Sequence, residues 1–389
     1  MIEIEVLKKE FTEKFAESKN SPTHFFFSPG RVNLIGEHID YLGGLVLPVT
    51  IPLGICAAVK YRKDSIVKIA SYGMPDVMNI DISKPILPSK TRWMNYPSGV
   101  IHELIKEGKK ISGFEAFFHA DLPAGSGLSS SAAIEVLTAV IALYPLNEGK
   151  IDVRWTASLC REAEIKFAGV QCGIMDQFVV AGAKKGHALL LNSSTLEYKY
   201  VPFNLKNHSL VVIDSGKKRE LGESRYNQRR NECQQAFEII RKHRNIEKLV
   251  DASLEDVETL LEDPVLKKRA RHAVTENERV KTAVHALENE DVTLLGSIMI
   301  KSHLSLREDF EVTCFELDTI FHAFLNLAGC AGGRMTGAGF GGCLIAIVEK
   351  EKIDDFISEV QTAVQSKLST NPVIYVCSPS GSASILKIE

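Results

Sequence analysis

The segment DLPAGSGLSSSAAIE, from Asp121 to Glu135, combines residue types that bind phosphate groups. Gly125 and Gly127 let the backbone turn sharply and approach a ligand, because neither carries a Cβ atom. Serines follow at positions 129–131, where a helix is predicted to begin, and a helix N-terminus offers unpaired N–H groups and a positive dipole end. The pattern favours a site for nucleotide phosphates. An ordinary serine-capped helix start is the alternative that this segment alone leaves open.

A second group of reactive side chains lies in PGRVNLIGEHIDYLGG, residues 29–44. Apolar residues alternate there with charges, a pattern that a surface loop does not need and a core strand does not tolerate. Carboxylates and an imidazole hold hydroxyl groups in fixed directions, so the segment favours a pocket for a polar ligand with vicinal hydroxyls. A charged hairpin is the alternative. The charged or titratable side chains are Arg31, Glu37, His38 and Asp40.

A lone carboxylate, Asp176, lies in the apolar segment GVQCGIMDQFVVAGA. An unpaired buried charge is costly, so this side chain is expected to be either paired or functional. We favour a functional role.

The glycine-rich segment RMTGAGFGGC, from Arg334 to Cys343, contains the pattern GxGxxG. We do not interpret it as a dinucleotide site, because the following run CLIAIV predicts a strand where that fingerprint opens a helix. A second backbone clamp on the pocket is the interpretation we favour. The chain also lacks a GxxxxGK[ST] loop and the HRD and DFG signatures of protein kinases.

Strands and helices alternate around these segments. Hydrophobic periodicity predicts a strand over Phe114–Ala120 and a helix over Ala132–Leu143, so the serine-rich segment joins the two. Further helices are predicted over 2–19 and 153–168, and a charged helical region is predicted to reach residue 306. Further strands are predicted over 24–28, 187–194, 197–203 and 209–214. The pattern indicates an α/β (α+β) fold.

Composition narrows the classes of function. The chain has 389 residues, of which 45% are hydrophobic and 24% charged, which is typical of a globular protein of roughly two to three lobes. Its formal net charge of -3 gives no indication of nucleic acid or an anionic membrane as a partner. Eight scattered cysteines without zinc-site spacing, and an N-terminus without an apolar signal region, lead us to expect a cytoplasmic protein that spans no membrane.

Three separated stretches, GRVNLIGEHIDYLGG, LPAGSGLSSSAA and GRMTGAGFGGC, together resemble the signature motifs of the GHMP family of small-molecule kinases. The first stretch, with RELGESRYNQRRNEC at residues 219–233, resembles the galactokinase branch of that family. The resemblance covers essentially the whole chain. It implies two α/β lobes with the active site in the cleft between them. We place the lobes at residues 1–205 and 206–389, with the last strands able to pack back on the first lobe.

The resemblance also implies roles for single residues. The implied reaction is ATP-dependent phosphorylation of the anomeric hydroxyl of α-D-galactose, with Asp176 as general base and Arg31 steadying that base and the transferring phosphoryl group. The implied sugar contacts are Glu37, His38, Ile39, Asp40, Gly173 and Tyr226. The implied ATP contacts are Ser71, Ala124, Gly125, Ser126, Gly127, Leu128, Ser129 and Ser130. The implied Mg²⁺ ligands are Ser130 and Glu164.

One difference from the galactokinase motif leaves the identity of the sugar open. Galactokinases commonly read HTDYN where this chain has HIDYL, with Ile39 and Leu42, and HIDY resembles the N-acetylgalactosamine kinases. A catalytically silent galactose sensor is another alternative, although the complete GLSSSAA loop argues against it. Mevalonate and homoserine kinases are disfavoured, because substrates with a carboxylate would favour a more basic pocket. We expect galactose and Mg-ATP as the partners of a monomer.

Overall fold

The computed structural model describes residues 2–16, 21–123, 125–218 and 222–387. Within them the strands are β1 (His24–Asn33), β2 (Leu45–Val46), β3 (Pro48–Tyr61), β4 (Ile66–Ser71), β5 (Met78–Asp81), β6 (Phe114–Ala120), β7 (His187–Asn192), β8 (Tyr198–Pro202), β9 (His208–Asp214), β10 (Cys330–Thr336), β11 (Cys343–Glu349), β12 (Val373–Cys377) and β13 (Ser384–Ile385). The helices are α1 (Ile4–Lys14), α2 (Asn95–Lys106), α3 (Ser130–Asn147), α4 (Val153–Ala163), α5 (Met175–Gly182), α6 (Gly222–Ile240), α7 (Leu254–Leu260), α8 (Pro264–Glu288), α9 (Val292–Glu308), α10 (Phe315–Phe324) and α11 (Ile353–Gln365). The predicted α/β class is confirmed.

A six-stranded sheet forms the first half of the molecule, in the order β13-β1-β3-β6-β4-β5. Antiparallel pairing of β1 with β3 builds its centre, while β4 runs parallel to β6. A parallel pair needs a long crossover, and α2 lies in the connection between these two strands. The last strand, β13, pairs with β1, so the end of the chain returns to the sheet in which the chain began.

Helix α3 is the central helix of this half. It contacts β1 and β3 as well as α2, α4 and α5, and its apolar residues are buried on nearly all sides. By length and composition it is the one helix in the described ranges that could cross a membrane, but 61% of it is buried inside the protein. A helix that is apolar all round needs such a burial, and the core of this half supplies it.

A second sheet of four antiparallel strands, in the order β10-β11-β9-β12, forms the centre of the other half. Helices α9, α10 and α11 pack on this sheet. The 25-residue helix α8 packs on α6 and α9 and also contacts β2 and β8, which belong to the small sheet β2-β7-β8. Helix α8 therefore connects the two halves.

The structure differs from the predicted strands at one functional position. Strand β1 continues to Asn33 rather than ending at Ser28, so Arg31 lies inside a strand. A core strand was expected not to tolerate the charge of Arg31. That expectation is wrong here, because Asp176 pairs with the guanidinium group of Arg31. Strand β11 follows the GxGxxG segment, as predicted.

Two predicted helices are shorter than expected. The helix predicted over 153–168 ends at Ala163 and continues as a π-helical turn, Glu164–Ala168. Such turns are rare and often lie at functional sites. The helix predicted over 2–19 ends at Lys14, and residues 17–20 lie outside the described part of the chain.

Candidate active site

The ion pair between Arg31 and Asp176 lies at the centre of the candidate site. Arg31 Nε donates to Asp176 Oδ1 (2.8 Å), and Nη2 donates to Oδ2 (2.7 Å), so the pair is bidentate. The side chain of Arg31 is 6% exposed, whereas that of Asp176 is 28% exposed and lines a cleft of about 760 Å³. Asp176 is thus both paired and open to a ligand.

The same arginine holds the glycine–serine loop, which we define as residues 125–130. Arg31 Nη1 donates to the carbonyl oxygen of Gly127 (2.7 Å), and the Arg31 backbone N–H donates to that of Leu128 (3.1 Å). Ser129 Oγ donates to Asp176 Oδ2 (2.5 Å) and makes no capping bond to α3. Ser129 adopts a left-handed φ of 63°, a strain that functional sites often hold at a cost on the order of 1–3 kcal/mol.

The glycine–serine loop leaves hydrogen-bond donors free for a ligand. Gly125 and Gly127 have φ values of 76° and 79°, which side chains rarely adopt. Among the described residues, no acceptor contacts the backbone N–H of Gly127 or Leu128. Ser130 is exposed and opens α3, at the positive end of the helix dipole. A phosphate group would satisfy these donors.

The remaining predicted ATP contacts divide into two groups. Ser71, at the end of β4, lines the cleft. Ser126 and Leu128 are buried and do not line it, and the Ser126 hydroxyl donates to the carbonyl of Pro123 (2.8 Å). These two side chains support the loop from behind. Ala124 lies outside the described residues.

Glu37 is the most densely bonded side chain of the charged loop, which we define as residues 33–40. Its Oε2 accepts from Asn33 Nδ2 (2.6 Å) and from Arg334 Nη1 (3.1 Å), and its Oε1 accepts from the Gly337 backbone N–H. Burial raises the pKa of Glu37, while the guanidinium groups of Arg334 and Arg31 act in the opposite direction. Arg334 is itself fully buried.

Helix α8 fixes the backbone of the charged loop. Glu276 Oε1 accepts from the backbone N–H groups of Gly36 (2.9 Å) and Glu37 (3.3 Å). His272 Nε2 lies 3.1 Å from the carbonyl oxygen of Glu37. Because a carbonyl oxygen only accepts, this nitrogen carries the proton. The charged loop is therefore anchored by the second half of the chain, although it belongs to the first.

His38 connects the charged loop to the GxGxxG segment. Its Nε2 donates to the carbonyl oxygen of Ala338 (3.0 Å), and its Nδ1 lies 3.0 Å from the hydroxyl of Tyr41. Tyr226 packs on both rings, with centroids 5.4 Å from His38 and 5.3 Å from Tyr41. The GxGxxG segment thus holds the charged loop, and Gly337 and Ala338 also line the cleft.

Asp40 and Gly173 meet at the cleft wall. A Cβ atom at residue 173 would overlap the carboxylate of Asp40, so only glycine allows the carboxylate this position. Burial raises the pKa of Asp40 to about 6, and the charge of Asp176 adds to the shift. Both residues line the cleft, as the sugar-contact prediction requires.

The side chain of Ile39 lies elsewhere. It is fully buried in the hydrophobic core and is not among the residues that line the cleft. Leu42 is partly buried against the same core and does not line the cleft either. The expectation that these two side chains decide the substituent tolerated on the sugar therefore finds no support in the geometry.

Glu164 lies at the start of the π-helical turn, 6% exposed at the cleft wall. Its Oε2 accepts from Gln177 Nε2 (2.6 Å) and from the Cys172 thiol (3.3 Å). Gln177 Nε2 also donates to the buried Glu135 (3.0 Å). Burial raises the pKa of Glu164 and raises that of Glu135 well above its ordinary value.

The oxygen donors at the cleft fit a magnesium ion held with a nucleotide. Mg²⁺ is commonly bound by one or two protein oxygens together with substrate phosphates and water. The hydroxyl of Ser130 and the carboxylate of Glu164, both at the cleft wall, offer such a set. In the described residues no group of three or more His, Cys, Asp or Glu side chains is arranged to hold a metal by itself.

Three aromatic residues of the cleft were not predicted from the sequence. Tyr72, Trp93 and Tyr96 line the part of the cleft that we call its aromatic end, and Tyr72 is 60% exposed. Trp93 and Tyr96 are three residues apart, a spacing that places them on one face where α2 begins. That spacing was the available signal. Two exposed cations, Arg92 and Lys218, also line the cleft.

Comparison with known families identifies three matching regions. The galactokinase galactose-binding signature matches residues 9–61, the GHMP kinases N terminal domain matches 95–183, and the GHMP kinases C terminal domain matches 283–366. A galactokinase of Clostridium tetani is 44% identical over 96% of this chain and 95% of its own length. A galactokinase of Fusobacterium nucleatum is 44% identical over 96% of this chain and 97% of its own.

Solved structures give the same result. Lactococcus lactis galactokinase, crystallised with galactose, superposes with a TM-score of 0.92 and 36% identity, covering 98% of this chain and all of that one. Methanococcus jannaschii mevalonate kinase superposes with a TM-score of 0.65 at 18% identity over 92% of this chain and 99% of its own, a likeness of fold alone. The predicted two-lobed GHMP kinase fold is confirmed, and the chain belongs to the galactokinase family of GHMP kinases.

Proposed function

We propose that this protein transfers the γ-phosphoryl group of ATP to the anomeric hydroxyl of α-D-galactose, giving α-D-galactose 1-phosphate and ADP. The observation that supports this proposal most directly is the bidentate Arg31–Asp176 pair, which lies between the charged loop and the glycine–serine loop. One residue pair thus faces both places where the substrates would bind. Membership of the galactokinase family supports the choice of sugar.

Asp176 is proposed as the general base. The anomeric oxygen attacks the γ-phosphorus, the bond from that phosphorus to the bridging oxygen breaks, and ADP leaves with the electron pair. The proton of the anomeric hydroxyl passes to Asp176, whose exposed face is turned to the cleft. A positioned base of this kind contributes roughly 10²- to 10⁴-fold in rate.

Arg31 is proposed to hold the base and to stabilise the transferring group. Phosphoryl transfer needs positioning and a cation near the developing charge more than it needs covalent chemistry from the protein. All three guanidinium nitrogens are occupied in the free protein, two by Asp176 and one by Gly127. The group is therefore pre-organised beside the phosphate loop rather than recruited during the reaction.

The nucleotide is proposed to bind with its phosphates at the glycine–serine loop and its base at the aromatic end of the cleft. The N–H groups of Gly127 and Leu128, which have no acceptor among the described residues, and the hydroxyl of Ser130 would donate to phosphate oxygens. Ser130 and Glu164 would hold Mg²⁺, which neutralises phosphate charge when bound. Tyr72 and Trp93 offer aromatic surface for the base.

On the sugar side, the groups differ in how many hydrogen bonds they can still make. Both oxygens of Glu37 and both nitrogens of His38 already have protein partners. Asp40 accepts from the backbone N–H groups of Tyr41 and Met175 and lines the cleft. A carboxylate can accept about four hydrogen bonds, so we propose that Asp40 is the principal acceptor for a sugar hydroxyl. Glu37, His38, Gly173 and Tyr226 shape the wall around it, and Ile39 acts through the backbone of its turn.

We propose that the two lobes comprise residues 1–205 and 206–389. We also propose that the enzyme is cytoplasmic, acts as a monomer and binds neither nucleic acid nor a membrane. N-acetylgalactosamine is the second candidate sugar on the sequence motif alone, because HIDYL at residues 38–42 replaces HTDYN, although neither Ile39 nor Leu42 lines the cleft.

A coupled assay of ADP release tests the reaction and the sugar together. Galactose, N-acetylgalactosamine, glucose and arabinose are each offered with Mg-ATP under the same conditions. We expect turnover on galactose far above that on the other three sugars. Turnover highest on N-acetylgalactosamine would favour the second candidate, and galactose binding without turnover on any sugar would favour a sensor.

A further inference from the structure

A buried pair of side chains outside the proposed reaction lies directly behind Glu164. Glu135 is on α3 and Gln177 is on α5, and they are 0% and 1% exposed. Gln177 Nε2 donates to Glu135 Oε2 (3.0 Å) and to Glu164 Oε2 (2.6 Å). A carboxamide nitrogen carries two hydrogens, so each carboxyl group receives one and the donor capacity of Gln177 is used completely.

Stability does not explain Glu135. Gln177 is the one hydrogen-bond partner of its carboxyl group in the described part of the chain, and Oε1 has none. A buried polar atom without a partner costs about 1–3 kcal/mol, and its neighbours Ala132 and Val136 are apolar and fully buried. An apolar side chain would pack here at lower cost, so packing alone does not account for the carboxyl group.

Gln177 is a buried amide donor to the carboxyl group of Glu164. Glu164 lies in a π-helical turn rather than within a regular helix, the Cys172 thiol, a weaker donor, also contacts Oε2, and the Ser131 hydroxyl donates to the same carboxyl group. Gln177 and Cys172 both donate to Oε2, so neither of these two donors occupies Oε1.

The helices involved carry other parts of the proposed site. Helix α3 begins at Ser130 and contains Glu135, and α5 contains Asp176 next to Gln177. The pair therefore connects the base, the serine and the glutamate through two packed helices. Sites held by such a supporting layer on helices keep their geometry better than sites on loops.

We propose that Glu135 and Gln177 are positioning residues: Glu135 fixes the carboxamide of Gln177, and Gln177 holds Glu164 in the orientation that binds the divalent cation of the nucleotide. The inference rests on the proposed function, because it takes Glu164 as a ligand of that cation. Mutation of residues that support a metal ligand in this way commonly lowers metal affinity or activity by about 10- to 100-fold.

The test measures Mn²⁺ binding to the complex of the full chain with ADP, by electron paramagnetic resonance, and galactose binding by calorimetry. Gln177→Met removes both hydrogen bonds, and we expect about 10- to 100-fold weaker Mn²⁺ binding with unchanged galactose affinity. Glu135→Leu should weaken Mn²⁺ binding in the same direction. Glu135→Gln keeps an acceptor for Gln177 and should restore the wild-type value.

The double variant tests whether Glu135 acts through Gln177. In that case Glu135→Leu adds nothing to Gln177→Met, because the residue that it positions is already gone. Glu115→Gln is the matched control: Glu115 is fully buried and paired with Arg62 (2.6 Å), but it does not line the cleft. Its Mn²⁺ affinity should equal that of the wild type. Thermal unfolding of each variant establishes that the chain is folded.

Three outcomes overturn the inference. Unchanged Mn²⁺ affinity in Gln177→Met, while Glu164→Gln weakens it, would leave the cation role of Glu164 standing and remove its positioning by Gln177. An additional loss from Glu135→Leu in the Gln177→Met background would show that Glu135 acts independently. Unchanged affinity in Glu164→Gln would overturn the proposed cation site together with this inference.

Discussion

The charged loop and the glycine–serine loop face the same cleft but treat their polar groups in opposite ways. In the charged loop, the backbone of Gly36 and Glu37 and the side chain of Glu37 are bonded to groups from the second half of the chain, such as Glu276 and Arg334. In the glycine–serine loop, the N–H groups of Gly127 and Leu128 have no acceptor in the described ranges. The backbone of Gly36 and the backbone and side chain of Glu37 are thus bonded before a ligand binds, whereas the glycine–serine loop keeps N–H donors for the ligand.

This difference fits the two substrates. A sugar is distinguished from its epimers by the directions of its hydroxyl groups, which a rigid wall can sense because a misplaced hydroxyl leaves a buried polar group unpaired. A triphosphate is a flexible anion, for which free N–H groups at a helix N-terminus suffice. Variants of residues in and between the loops can break or sharpen the comparison.

The largest effect is expected at Asp176, where the two loops meet. Asp176→Asn keeps the size of the side chain but removes the proton acceptor, so kcat should fall by about 10²-fold or more while ATP binding stays near normal. Stopped-flow measurement of ADP formation, with nucleotide binding followed separately, checks both. Full activity of the variant would remove Asp176 from the mechanism.

A change at Arg334 should break the charged loop alone. Arg334→Met leaves Glu37 buried without its guanidinium partner, and removing one member of a buried ion pair costs about 3–5 kcal/mol in the free energy of unfolding. Denaturant unfolding measures the loss. Lys281→Met on α8 is the control, because Lys281 and Glu278 form an exposed pair and the expected loss is about 0–1 kcal/mol.

Much of this organisation could be predicted from the sequence because it is local. The strand Phe114–Ala120 and the glycine–serine turn into α3 follow from periodicity and from the residue types of adjacent positions. The three sequence motifs also predicted the correct family, the GHMP kinases. The anchors of the charged loop could not be predicted in this way, because Glu276 and Arg334 lie more than two hundred residues further along the chain.

Contacts between distant parts of the chain decide other features of the site. The strand position of Arg31 depends on its ion pair with Asp176, which is distant in sequence, and the side chain of Ile39, a predicted sugar contact, lies in the core. The π-helical turn at Glu164 follows a regular helical pattern without any local break in the sequence.

The protonation state of Asp40 should make sugar binding depend on pH. Its folded pKa is about 6, raised from the ordinary value of 3.8, so the carboxylate that accepts a sugar hydroxyl is lost as the pH falls through 6. We expect kcat/KM for galactose to fall below that pH, since this ratio reports ionisations of the free enzyme. Asp40→Asn should remove this step from the profile, and a profile with the step intact would assign it to another group.

The smallest effect is expected at Ser129, in the glycine–serine loop. Ser129→Ala and Ser129→Gly both lose the hydrogen bond to Asp176, but glycine alone relieves the left-handed backbone. Ser129→Gly should therefore be more stable than Ser129→Ala by about 1 kcal/mol. Thermal unfolding of the two variants side by side measures this difference, and equal midpoints would mean that the backbone there is not strained.

Hydrogen exchange of backbone amides compares the two loops most directly. The free enzyme and its complex with Mg²⁺ and a non-hydrolysable ATP analogue are labelled in parallel. Our account predicts that Gly36 and Glu37 are protected in both samples, because Glu276 accepts their N–H groups, whereas Gly127 and Leu128 become protected only with the nucleotide. Rapid exchange at Gly36 and Glu37 in the free enzyme, or no response of Gly127 and Leu128 to the nucleotide, would contradict it.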